Sequence, residues 1–498
     1  MSNILINTNC GSVKGKEVNG VYRFLGVPYA EETKRFKRCI EIKKYKEEIS
    51  CLEPKGSCFQ FGGNFDGDVT PNQGEDCLNL NVFTNGIDKK KPVFVWIHGG
   101  GFMTGCSYYP MYDGSAFAKE DIVYVAINYR LGVLGFYDFS KFGKEFESNV
   151  GINDQIVALN WIKHNISFFG GDPNNITICG ESAGGISVLA LLASPKTEGL
   201  FKNAIVESSL PYCIFDSKEE NVYTNTFLNC ARITKKNINQ LYKLSLQQIF
   251  DLTNQTTKII SKKYPGFMIN SPVIDDILPY DVMEAQDKKI NKDVNLIIGT
   301  NRDEGTLFCQ NSPYSIHPYG WVKIKEMLDR SNNSDLYLPL KKYYDEEWKD
   351  YEFHQFAYDN LFVRGMLNLA NKRSSFNKNT YIYRFDFSLP KTRELKFNAC
   401  HALEMSFVLG TTDCMIERHP FFKGCNVNEV KEIEKQMHSA WVSFVKYGNP
   451  NKKGLNNVWP RYDNNNPIAY VFNLEPSLIS YKDYAPLEIF GDRRIFTK

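Results

Sequence analysis

Several stretches of the chain are apolar almost without interruption. They are Val93–Phe94–Val95–Trp96–Ile97, Ile122–Val123–Tyr124–Val125–Ala126–Ile127, Ala204–Ile205–Val206 and Leu296–Ile297–Ile298–Gly299. Such runs have no polar face, so they predict strands covered on both sides, as in a parallel sheet. Tyr381–Ile382–Tyr383–Arg384–Phe385–Asp386–Phe387 predicts another strand, and Leu78–Asn79–Leu80–Asn81–Val82 a further one. The first 40 residues differ: short mixed runs such as Val21–Tyr22–Arg23–Phe24–Leu25 alternate with Gly11, Gly15, Gly20 and Gly26, the pattern of small antiparallel strands joined by turns. Residues 40–75 are loop-rich and include Gly62–Gly63–Asn64–Phe65–Asp66–Gly67. Helical periodicity appears at Gln155–Ile162 and Val430–Val445. Strands alternating with helices predict an α/β fold with a large, mostly parallel central sheet flanked by helices. Residues 215–290 and 305–378 are polar and mostly helical. No Pro/Gly/Ser linker sets them off, so 1–498 reads as a single domain carrying two insertions.

One junction carries candidate chemistry. The apolar run Ile176–Thr177–Ile178–Cys179 leads into Gly180–Glu181–Ser182–Ala183–Gly184, and a small-residue helical run, Gly185–Leu192, follows. Strand, turn and helix with serine at the apex is the pattern of a nucleophile elbow. It holds the hydroxyl near a helix N-terminus, where backbone N–H groups and the dipole favour developing negative charge.

Composition narrows the function classes. The chain has 498 residues, 43% hydrophobic and 14% aromatic, enough for a sizeable core. Its 59 basic and 57 acidic residues leave a net charge of +2, so no strong field exists to recruit nucleic acid or an anionic membrane. No run of about 18 apolar residues predicts a membrane span. The start, Met1–Ser2–Asn3–Ile4–Leu5, lacks the basic and apolar regions of a signal peptide. Thirteen cysteines without a C-x-x-C pair read as mostly free thiols in a reducing compartment, which favours the cytoplasm and leaves secretion as the alternative.

Acyl transfer at Ser182 needs an oxyanion site, a base and an acid. His98–Gly99–Gly100–Gly101–Phe102 follows directly on the strand Val93–Ile97. Three glycines there bare their N–H groups to a substrate oxygen, and the N–H of Ala183, after the serine, completes the expected donor set. A phosphate loop is excluded by spacing: the dinucleotide fingerprint needs glycine where Thr104 stands, and no G-x-x-x-x-G-K-[ST] occurs. Of seven histidines, His401 best fits the chain order serine, acid, histidine, because it follows the strand Tyr381–Phe387. The acid belongs after the strand Leu296–Gly299, where Asp303 and Glu304 stand side by side; residue chemistry does not choose between them. Asp275–Asp276 is a weaker candidate. The lack of H-E-x-x-H argues against a zinc enzyme, and the chemistry requires no metal or organic cofactor.

The chain resembles the type-B carboxylesterases, the group of α/β-hydrolases that includes the cholinesterases. The resemblance runs through Phe24–Ala30, Glu75–Asn81, Gly99–Gly101, Asn128–Gly132, Phe169–Pro173 and the elbow. It implies an α/β-hydrolase fold with helical insertions around an active-site gorge. It implies Ser182 as nucleophile, Glu304 as acid, His401 as base, and Gly100, Gly101 and Ala183 as oxyanion donors. It also implies a salt bridge between Arg130 and Asp154 and a disulfide between Cys58 and Cys77. Two positions depart from the family pattern, since Ala402 and Ser209 stand where glycine is usual. The Cys58–Cys77 segment holds no Trp, unlike the choline-binding loop of cholinesterases, so quaternary-amine selectivity is not expected.

These readings predict a serine esterase that cleaves a small-molecule ester through an acyl-enzyme. The rival is a non-catalytic adhesion or interaction protein of the same family. The intact Ser182, Glu304, His401 and glycine triplet argue against it. Glu181, beside the nucleophile, is placed to tune the imidazolium.

Overall fold

A computed structural model describes residues 2–31, 34–60, 72–264, 270–310, 317–452, 455 and 457–495. The glycine-rich stretch expected at 62–67 lies outside the described residues. The strands, in chain order, are β1 (Asn3–Thr8), β2 (Gly11–Val18), β3 (Val21–Pro28), β4 (Ile49–Ser50), β5 (Ser57–Cys58), β6 (Gln73–Gly74), β7 (Asn79–Thr84) and β8 (Lys91–Ile97). They continue with β9 (Val123–Ile127), β10 (Gly171–Glu181), β11 (Asn203–Glu207), β12 (Asn295–Asn301), β13 (Thr380–Phe385), β14 (Ile468–Phe472) and β15 (Ser477–Ser480). The main sheet is ordered β1-β2-β3-β7-β9-β8-β10-β11-β12-β13-β14-β15, with β4 beside β2, while β5 and β6 pair separately.

The sheet is mixed. From β9 through β14 every neighbouring pair is parallel. The pairs from β1 to β9 are antiparallel, as is β14 with β15. The uninterrupted apolar runs occupy the parallel centre, and β9, β11 and β12 are buried along their whole length. The period of two divides each strand between two cores. Val93, Val95 and Ile97 of β8 face one cluster, with Leu159 and Trp161 of the helix Val150–Asn165 and the fully buried helix Ala183–Ala193. Phe94 and Trp96 face the other, with Trp441 and Phe444 of the helix Val427–Tyr447.

The strand order reverses at β8: β9 lies on one side of it and β10 to β14 extend on the other. The crevice beyond the carboxyl ends of such neighbouring strands is where open α/β sheets bind ligands. The glycine loop after β8 and the elbow after β10 both open there. Between β11 and β12 run the helices Ser217–Cys230 and Leu246–Lys263, each started by a capping box, at Asp216 and Ser245. Between β12 and β13 come Trp321–Arg330, Tyr337–Glu347, Glu352–Tyr358 and Arg364–Ser374.

Arg130 and Asp154 form a buried bidentate pair, Nη2–Oδ1 2.5 Å and Nε–Oδ2 2.8 Å. This joins the segment after β9 to the helix Val150–Asn165. The disulfide implied for Cys58 and Cys77 is not formed. Both are buried free thiols that hydrogen-bond to each other, and Cys58 Sγ also accepts from the Leu131 N–H at 3.1 Å.

Candidate active site

Ser182 sits between the last residue of β10 and the helix Ala183–Ala193, at φ 57° and ψ −121°. That conformation is sparsely populated for a residue with a side chain, and the surroundings must hold it. The Ser182 N–H donates to Glu207 O at 3.0 Å, and its carbonyl accepts from Ile186 at 2.9 Å. The helix also crosses β8 closely: a Cβ on Gly184 would stand 2.0 Å from Ile97 O. The second glycine of the elbow is therefore required by a close backbone approach rather than by the turn alone.

The loop after β8 turns at Gly100, whose carbonyl accepts from the Met103 and Thr104 N–H groups, each at 3.0 Å. The Gly100 and Gly101 N–H groups have no acceptor among the described residues. His98 supports this loop from behind. Its Nδ1 donates to Gly99 O at 2.9 Å, its carbonyl accepts from Tyr129 Oη at 2.7 Å, and the two rings stack.

Glu304, rather than its neighbour Asp303, lies against the imidazole. Glu304 Oε2 is 2.5 Å from His401 Nδ1, and its Oε1 accepts from the Asn301 N–H at 2.7 Å. Asp303 points away, taking Tyr351 Oη at 2.7 Å and the Ala399 N–H at 3.2 Å. Asp275 and Asp276 bind Arg38 instead. On the far side of the ring, His401 Nε2 lies 3.1 Å from Glu181 Oε1 without hydrogen-bond geometry.

A pocket of about 340 Å³ brings these parts together. Ser182, Ala183, Gly100, Gly101, Glu181 and His401 line it, and Tyr109, Met111, Tyr112, Phe308 and Met405 are among the other lining residues. His401 is the one histidine lining it among the described residues. Ala402, at the family's glycine position, adopts φ 68° and also lines the pocket. Ser209, the other departure, is buried with Cβ close against Gly185.

Two further buried carboxylates lie nearby, Glu404 close enough to act on His401 and Glu207 close enough to act on Glu404, and the sequence reading gave them no role. Glu404 accepts from Ser208 Oγ at 2.7 Å and Asn301 Nδ2 at 2.5 Å. Glu207 accepts from Trp441 Nε1 at 2.7 Å and Cys179 Sγ at 3.2 Å. A carboxylate closing the buried run Ala204–Ile205–Val206 is the signal that could have flagged Glu207. Burial raises Glu404 to about 7 and Glu207 to about 8, and it pushes Glu181 well above the ordinary carboxylate range. Burial also pulls His401 down, but the charges of Glu181 and then Glu304 outweigh it and leave the imidazole at about 9. Glu181 and His401 face each other in a dry site, so the charge on each favours the charge on the other and their titrations are linked.

The pattern of the Carboxylesterase family matches residues 2–485. The chain belongs to that family. It is 35% identical to the para-nitrobenzyl esterase of Bacillus subtilis (strain 168) over 474 residues, which is 93% of each chain. It is 30% identical to the phenmedipham hydrolase of Pseudarthrobacter oxydans, with 94% of each covered. Among solved structures, a PNB esterase superposes with a TM-score of 0.87 at 30% identity, covering 99% of both chains. The protein is accordingly a carboxylic ester hydrolase with an α/β-hydrolase fold, and the adhesion reading finds no support. Small-molecule esters are its substrate class. No described helix is long and apolar enough to cross a membrane.

Proposed function

We propose that this carboxylesterase works through Ser182 as nucleophile, His401 as general base and acid, and Glu304 as the carboxylate that orients the imidazole. The observation that carries the assignment is the 2.5 Å contact between Glu304 Oε2 and His401 Nδ1 at the pocket that Ser182 also lines. An Nδ1–H donated to Glu304 leaves the Nε2 lone pair to take the serine proton. As Ser182 Oγ bonds to the ester carbonyl carbon, His401 becomes imidazolium and the carbonyl oxygen becomes an oxyanion. The Gly100, Gly101 and Ala183 N–H groups receive that oxyanion, and one such donor contributes roughly 3 kcal/mol of transition-state stabilisation. The C–O bond to the alcohol breaks, and His401 returns its proton to the departing oxygen. Water then enters, loses a proton to His401 and attacks the acyl-enzyme; the acid leaves and Ser182 Oγ is reprotonated. Glu181 lies against Nε2, where its charge stabilises the imidazolium.

The pocket supports a finer reading of the substrate. Tyr109, Tyr112, Phe308, Met111 and Met405 make most of its wall apolar, and its volume suits a small ester. An uncharged aryl or short alkyl group fits that lining, and the resemblance to a para-nitrobenzyl esterase agrees with it. The thirteen free thiols support a reducing, cytoplasmic setting.

Replacing Ser182 by Ala tests the assignment. Turnover of p-nitrophenyl acetate and labelling by a fluorophosphonate probe should both disappear. Retention of most of the turnover would refute it. A series of p-nitrophenyl esters graded by acyl length tests the pocket reading, with short uncharged acyl groups expected to react fastest.

A further inference from the structure

A second cleft, of about 620 Å³, shares no lining residue with the catalytic pocket. It lies on the other side of the loop that carries Glu304. Five aromatic rings line it, from Trp348, Tyr351, Tyr358, Tyr481 and Tyr484, and so do two guanidinium groups, from Arg302 and Arg384. We propose that this cleft is a ligand site for aromatic carboxylates, the class of acid that hydrolysis of an aromatic acyl ester releases, and that its occupancy lowers turnover at the catalytic serine.

The chemistry of the wall sets the ligand class. Arg384 places Nε and Nη2 on Asp386, at 2.6 and 2.7 Å, which leaves Nη1 outside that pair. Arg302 is half exposed, and its Nε lies 3.3 Å from Asp303 Oδ2. Asp303 is the carboxylate among the lining residues, and Tyr351 Oη and the Ala399 N–H already occupy it. Each guanidinium has one carboxylate partner, Asp386 for Arg384 and Asp303 for Arg302, and the N–H donors left over are open to a further carboxylate, which a guanidinium takes through paired N–H donors. Tyr481 is 5% exposed, and its hydroxyl lies beside that of Tyr358 without a hydrogen bond of normal geometry. Tyr358 Oη pairs with Thr300 Oγ1 at 3.1 Å. A buried hydroxyl left this way costs free energy until a partner arrives. Tyr and Trp faces offer stacking surface to a planar ring.

The connection to catalysis runs through Asp303. Its N–H donates to Ala399 O at 2.9 Å and its Oδ2 accepts from the Ala399 N–H. That two-way tie pins the loop bearing Glu304 to the segment bearing His401. A carboxylate that draws Arg302 away from Asp303 alters this tie, with the acid and base each within two residues of it. The expected kinetic signature is a fall in kcat at unchanged KM.

The test blocks the catalytic serine with a fluorophosphonate and titrates the intact protein with benzoate and 2-naphthoate by calorimetry. One site should remain. Trp348→Ala and Arg302→Gln should each weaken it at least tenfold, and benzyl alcohol should bind at least tenfold more weakly than benzoate. Tyr481→Phe retains the ring and should weaken binding while leaving circular dichroism unchanged, which covers the case in which Trp348→Ala does not fold. Loss of all binding once the serine is blocked would overturn the proposal, because the catalytic pocket would then be the only site. Binding that ignores these substitutions would also overturn it. In unblocked enzyme, purely competitive inhibition of p-nitrophenyl acetate hydrolysis would refute the coupling. That kinetic arm and the blocking step rest on Ser182 as nucleophile. Failure of the probe to label Ser182 would refute that assignment, while titration of Ser182→Ala would still read the cleft.

Discussion

His98 and His401 are both buried, 1% and 7% exposed, one after β8 and the other in the segment after β13. They titrate in opposite directions. His98 meets the Gly99 carbonyl and the ring of Tyr129, and burial draws it from 6.5 to about 4. His401 is as dry, yet it ends at about 9 because Glu181 and Glu304 flank its two nitrogens. Two unit charges about 4 Å apart interact by roughly 4 kcal/mol near a protein surface, more than burial removes at His98. Carboxylate neighbours, rather than burial, therefore decide which imidazole can carry a proton. His98 stays neutral and shapes the oxyanion loop. His401 can be charged, as the mechanism requires after Ser182 gives up its proton.

The strongest way to break this contrast is Glu304→Gln. The amide can turn its NH2 toward Nδ1 and so impose the wrong tautomer on His401. By analogy with other serine hydrolases, kcat should fall about 10⁴-fold. A loss under tenfold, measured with p-nitrophenyl acetate, would remove Glu304 from the role. Gly100→Ala attacks the other side. A Cβ there would stand 2.3 Å from Thr104 O, at φ +101°. The loop that His98 supports would shift, and the loss of one aligned donor predicts a fall of about 10²–10³-fold in kcat. Unchanged kcat would place the oxyanion elsewhere.

Glu181→Gln tests the origin of the high imidazole value. Removing that charge lowers the His401 pKa, so the neutral base forms at lower pH. The rising limb of kcat/KM against pH should move toward acid. The matching control is His98→Asn, which should reduce kcat modestly while leaving that limb in place, since His98 is already neutral above about 4. A limb that follows His98 instead would reverse the two assignments.

Much of this was readable in the sequence, for identifiable reasons. The parallel strands were legible because burial on both faces removes polar residues from a run, as in β8, β9 and β12. The elbow and the glycine loop were legible because close backbone approach, such as Gly184 against Ile97, admits little else. The choice between Asp303 and Glu304 was not readable from residue chemistry. They are neighbours with the same group, and only the path of the loop sends one to His401 and the other to Tyr351. The resemblance named Glu304, but the residues alone did not. Pocket residues such as Tyr109, Phe308 and Met405 come from three separate segments, so no local period marks them. Glu207 and Glu404 were visible singly. Their convergence near His401 depends on β11 lying next to β12, which is tertiary information.

That convergence gives the finest test, on stability rather than rate. Glu207 lies in a region crowded with carboxylates, bound by Trp441 and Cys179 and raised to about 8 by burial and then by Glu404. Its folded value exceeds the ordinary glutamate value of 4.5. The folded state therefore binds the proton more tightly. The stability this brings is complete below 4.5 and disappears as pH rises through about 8. Gln keeps the neutral form at every pH, and its carbonyl can still accept from Trp441 and Cys179. Glu207→Gln should leave Tm nearly unchanged at pH 5 and raise it at pH 9, by at most a few kcal/mol in stability at about 1.4 kcal/mol per pH unit. Calorimetric scans at the two pH values decide it. A benefit that is equal at both, or larger at pH 5, would mean that Glu207 does not bind its proton more tightly in the folded protein, and a loss at both would mean that it is ionised there beside an unidentified positive partner. The carboxylate-rich surroundings of His401 would then be less crowded with charge than their contrast with His98 implies.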